Sequence, residues 1–184
     1  CQERKEDLSM ATIDLIVLGM LKRESLSAYD IQKLVEYRNI SKWVKISTPS
    51  IYKKVIQLEE KGLITSRTEK DRKMPEKAVY TLTDEGKEEF EKLMLEISCK
   101  PINIFLDFNA VIVNLESMSK ESQKECLDNI DSNMNMLKTY LEENVALKAN
   151  APDVPATGMA VLRQQFILVQ AIEEWITELK KELA

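Results

Sequence analysis

Apolar positions along this chain change their spacing several times, and each change marks an element. Residues 12–22, TIDLIVLGMLK, are almost continuously apolar, which is long for a strand and predicts a helix buried on most sides. A break at Ser25–Ser27 follows, with Ser27 placed to cap a second helix, AYDIQKLVEY, whose inner stripe is Ile31, Leu34 and Val35. A polar connection, 39–46, leads to STPSIYKKVIQLEEKG at 47–62. There Ser47 and Thr48 suit an N-cap and Pro49 suits the first helical position, so the pattern predicts a helix over 49–61. Its apolar residues fall at 51, 55 and 58, and Gly62 supplies a left-handed residue to end it.

The spacing then shortens. LITSRT (63–68) and KAVYTLT (77–83) alternate, and between them lies the charged EKDRKMPE, closed by Pro75. Two short strands around a basic tip predict a β-hairpin over 67–77, read as a wing. Thr83 is placed to cap a further helix with Asp84 and Glu85 in its first turn, and Pro101 ends that region. Residues 101–116, PINIFLDFNAVIVNLE, are strongly apolar and predict a short buried helix, with a strand as the other reading of Val111–Val113.

From Ser119 onward Leu127, Ile130, Met134, Leu137 and Leu141 recur at steps of three and four, a heptad-like seam. A loop over 148–158 separates it from a last helix with Phe166, Val169, Ile176 and Leu179 on one side. Two such helices can fold back on each other within one chain. The number of apolar positions favours a dimer interface made of these nine residues instead. The expected fold is mainly α: a winged helix-turn-helix with a two-stranded wing at 10–98, then a helical dimerisation domain at 101–184.

Charge sharpens this picture. The whole chain carries −5, yet residues 38–77 hold eleven basic and five acidic side chains, and 98–184 hold eight basic and thirteen acidic. A cationic middle and an anionic C-terminal half suit a protein that meets phosphate on one side. The outer face of the 49–61 helix offers Ser50, Tyr52, Lys53, Lys54 and Gln57 for bases or phosphates, with Ser47 and Thr48 at its N-terminus. Tyr52 has packing against the first helix as its other reading. Arg72 and Lys73 at the wing tip are placed to reach the minor groove or its flanking backbone.

Chemistry of other kinds finds little support. The chain has no histidine, no glycine-rich phosphate loop and no paired-cysteine motif, so an enzyme, a metal site and a cofactor are not expected. Three scattered cysteines point to a reduced, cytoplasmic setting, and no apolar run approaches a membrane span. The polar N-terminus lacks a signal-peptide core and an initiator Met, with Met10 a candidate start.

These pieces together resemble the PadR family of bacterial transcriptional regulators. The resemblance runs through IDLIVLGMLKRESLSAYDIQ with Tyr29, and STPSIYKKVIQLEEKGLI with Ile51-Tyr52, Leu58-Glu59 and Gly62-Leu63-Ile64. It continues through RKMPEKAVYTLTDEGKEEF, with Arg72, Pro75, Tyr80, Leu82-Thr83 and Glu85-Gly86, and AIEEWITELKKEL with Trp175. Ala28 stands where the family usually has glycine before the tyrosine. The resemblance implies a homodimer that represses genes at a double-stranded, inverted-repeat operator and is released by a small aromatic or lipophilic effector. Phe105, Phe108, Met118 and Trp175 are the candidates for an effector pocket between the two regions, ordinary core being their other reading. The alternative function is a winged helix that docks on a protein partner and does not bind DNA.

Overall fold

Val17, Leu18, Ile31, Val35, Ile51, Val55, Leu58 and Ile64 are almost wholly withdrawn from solvent and converge in one cluster. The elements carrying them surround it in a computed structural model that describes residues 2–44, 49–69, 77–149, 151 and 154–183, with side chains from Ala11 onward except those of 49–50. The chain divides into two compact units, Cys1–Ile102 and Asn103–Ala184.

The first unit runs α1 (Gln2–Leu21), β1 (Leu26–Ser27), α2 (Ala28–Tyr37), α3 (Pro49–Glu60), β2 (Ile64–Glu69), β3 (Lys77–Leu82) and α4 (Asp84–Ser98). A 3-10 turn, Ile40–Lys42, lies between α2 and α3. The expected hairpin is present, paired from Ile64↔Leu82 to Glu69↔Lys77. It is joined by a strand that hydrophobic spacing does not reveal. The two-residue β1 pairs antiparallel with β3 through Leu26↔Tyr80 and Ser27↔Val79, giving the sheet order β1-β3-β2.

Local chemistry fixes the joints. Ser27 caps α2 in a reciprocal box with Asp30: the Asp30 N–H donates to Ser27 Oγ, and the Ser27 N–H and hydroxyl donate to Asp30 Oδ2. After α3, Gly62 adopts φ +73°. The Leu63 N–H reaches back to the Leu58 carbonyl and the Gly62 N–H to that of Glu59, the paired bonds of a Schellman ending. Thr83 then joins the turn to α4, its hydroxyl donating to the Gly62 carbonyl and accepting from the Gly86 N–H. A Cβ on Gly86 would lie 2.0 Å from the Leu63 carbonyl oxygen, so only glycine fits where α4 crosses that turn.

The second unit departs from the sequence reading in two ways. Residues 101–108 form no helix; α5 (Asn109–Ile112) is one turn, followed by the 3-10 turn Leu115–Ser117. The stretch is not buried either: Ile102 is 91% exposed and Phe105 78%, while Leu115 alone of its apolar residues is fully inside. Pro101 and the short polar interruptions at Asn103, Asp107 and Asn109 leave no continuous stripe for a helix to bury.

The other difference concerns the long helices α6 (Lys120–Lys148) and α7 (Ala156–Leu183), which pack on each other within one chain. Leu127, Met134, Leu141, Val169 and Ile176 are buried there, with Ile130, Phe166 and Leu179 packed against them. Of the nine residues read as a dimer seam, only Leu137 stays exposed. Two antiparallel helices of 29 and 28 residues are long enough for complementary stripes to satisfy each other, so this seam is the core of an intrachain hairpin. Ion pairs flank it in matching register, Lys138 Nζ with Glu173 at 2.6 Å and Lys180 Nζ with Asp131 and Asp128 at 2.6 and 2.9 Å.

Candidate nucleic-acid interface

Helix α3 turns Ile51, Val55 and Leu58 into the core. At 3.6 residues per turn the opposite side carries Lys53, Ile56 and Glu60, which fall within about 60° of one another, with Tyr52 beside them. Tyr52 is 44% exposed and Ile56 53%; Lys53 and Glu60 are exposed too, and Gln57 is half-buried at the margin. Tyr52 thus lies on the exposed side of the helix.

Lys54 corrects the sequence reading. It is only 5% exposed, and its ammonium lies 2.7 Å from Asp14 Oδ1 on α1, a charge contact made off the ideal hydrogen-bond direction. Three residues after Ile51 and four before Leu58, it belongs to the inner stripe, and it cannot offer its charge to the outer face. The signal for this lies in the single carboxylate of TIDLIVLGMLK. A charge in so apolar a helix needs a partner when it is buried. Ile56 is the opposite case, an apolar residue that the helical period puts outside.

At its far end α3 is fastened to the hairpin, because the Ser66 N–H donates to Glu59 Oε1 at 2.9 Å. Glu59 therefore serves the turn into β2. The hairpin is also tied to α2: Lys77 Nζ sits 3.4 Å from Asp30 Oδ2. Hydrogen bonds from Ser27, helped by Lys77, hold the Asp30 carboxyl below its usual range. Helix α3, the hairpin and α2 thus share a frame. Ser47, Thr48, Arg72 and Lys73 lie outside the described residues, as does the side chain of Ser50.

Of the candidate effector residues, all in the second unit, Phe108 and Trp175 stack with ring centroids 5.9 Å apart and planes at 23°. Phe105, Met118 and Trp175 are all exposed, and the four do not form one enclosed lining.

A short sheet against three helices, with a helix presented beside a two-stranded hairpin, defines a winged helix-turn-helix protein. Residues 17–92 match the family described as "Transcriptional regulator PadR-like family", so the winged-helix unit of this chain is similar to that family. The negative transcriptional regulator PadR of Bacillus subtilis (strain 168) is 26% identical over 116 residues, 63% of each chain. The match therefore spans under two thirds of that relative. Among solved structures, Bacillus subtilis PadR in complex with operator DNA superimposes with a TM-score of 0.81 at 22% identity, covering 94% of this chain and 99% of the other. The same protein in complex with p-coumaric acid gives 0.77 at 20% identity, covering 95% and 96%. Among the described residues no helix is long and apolar enough to cross a membrane.

Proposed function

We propose that this chain is a sequence-specific, double-stranded-DNA-binding transcriptional regulator, a cytoplasmic repressor acting as a homodimer at an inverted repeat. The observation that carries the reading is the outward face of α3, with Tyr52 and Lys53 exposed beside a hairpin fastened to the same helix. Such a helix fits a major groove while the wing meets flanking phosphates. Lys53, Tyr52, Gln57 and Ser50 are the proposed contacts on the helix, with Ser47 and Thr48 at its start and Arg72 and Lys73 on the wing. Repression is supported by the Bacillus subtilis relative, a negative transcriptional regulator.

The dimer needs apolar surface that the hairpin core does not consume. Exposed residues of the second unit supply it, among them Leu137, Ile167, Leu168 and Val113. Release by a small aromatic effector is supported by the p-coumaric acid complex of the Bacillus subtilis protein, with the stacked Phe108 and Trp175 as the proposed contact. An effector acts here only by binding one arrangement of the two recognition helices better than another.

A gel-shift with random genomic fragments tests the function, and sedimentation of the free protein tests the dimer. Retention of a subset of fragments, abolished by added salt, is the expected result. Equal failure on every fragment at low salt would remove the reading.

A further inference from the structure

We infer that Ile56 is a specificity-determining residue that reads the methyl group of thymine; this rests on the proposed DNA-binding role of α3. Ile56 is more than half exposed on the outer face, one turn beyond Tyr52 and close to Lys53. A lone exposed isoleucine is ordinary on a protein surface. This one lies on the side opposite the buried Ile51, Val55 and Leu58, between Tyr52 and Lys53 around the helix. Its branched side chain has no polar end to lift into water, and it offers neither donor nor acceptor to a base edge. In the major groove the only apolar group on a base edge is the C5-methyl of thymine. Lys53 and Tyr52 can hold the helix to the phosphates on either side, leaving Ile56 to face the floor of the groove. The side chain would then disfavour cytosine and guanine, whose polar edges lose water against it.

The test begins with DNA selected from a random-sequence duplex pool by the wild-type full chain. Each thymine of the enriched sequence is then replaced singly by deoxyuridine, which removes only the methyl. One thymine per half-site should stand out, its replacement weakening binding about fourfold, the equivalent of about 0.8 kcal/mol for one buried methyl-sized group. Ile56→Ala should bind the thymine and uracil duplexes equally, and selection repeated with Ile56→Gln should lose the thymine preference at that position. Because Ile56 lies outside the core, both variants should unfold at the wild-type denaturant concentration. Equal tolerance of uracil at every position, or a thymine effect that persists in Ile56→Ala, would overturn the inference while leaving DNA binding intact. Failure to enrich any sequence would overturn the DNA-binding reading and this inference with it.

Discussion

Adjacent lysines on α3 have opposite roles, because a step of 100° separates the side chains. Lys53 faces out, and Lys54 faces Asp14 inside the unit. Removing one member of a buried pair leaves the other charge without compensation, a loss of about 3–5 kcal/mol. Lys54→Met should therefore lower stability in denaturant unfolding by roughly that amount, and adding Asp14→Leu should recover most of it. Lys53→Ala should leave stability within about 0.5 kcal/mol of wild type. Gly86 makes an equally specific demand. Gly86→Ala drives a methyl into the Leu63 carbonyl, and a destabilisation of about 1–3 kcal/mol by the same measurement is expected. By its charge Lys54 reads as an outer residue. The helical period, applied to Asp14 as well, points both of them inward.

At the scale of elements, capping chemistry is legible in the sequence and pairing between distant segments is not. Ser27, Thr83, Ser119 and Gly62 each end or begin a helix as their side chains or backbone freedom dictate. Strand β1 is hidden because two residues are too few to show alternation, and its partners Val79 and Tyr80 lie over fifty positions away. The Asp30 box joins the two kinds of contact. Its folded carboxyl is held below the ordinary value by Ser27, then Lys77, so deprotonation is coupled to the native state. That stability is present above the unfolded pKa, near 4, and is lost as pH falls through the lower folded value. Once their neutral-pH stabilities are matched by denaturant, wild type should thus begin to unfold at higher pH than Ser27→Ala, because the variant has less carboxylate-linked stability to lose. In the second unit, α6 and α7 are legible as amphipathic helices, but periodicity cannot say whether a stripe faces its own chain or a copy. Ile176→Ala, at the centre of the hairpin core, should cost about 2–5 kcal/mol in unfolding. A role confined to subunit contact would instead shift the sedimentation coefficient and leave monomer unfolding unchanged.

For the whole molecule, the uneven charge bears on function more than the total of −5 does. The cationic stretch 38–77 contains α3 and β2 and reaches the start of β3, whereas α6 and α7 carry an acidic excess. Binding to phosphate should accordingly be local and salt-dependent in spite of the acidic pI of about 5.1. The most direct test is the slope of log affinity against log salt concentration for a selected duplex, measured for wild type and Lys53→Ala. Removing one phosphate-binding lysine should make the slope shallower by roughly 0.9. A dimer with both copies replaced should therefore show a slope shallower by about 1.8, together with weaker binding. If Lys53→Ala, folded and as stable as wild type, retained both slope and affinity, the outward face of α3 would not be the surface that meets DNA.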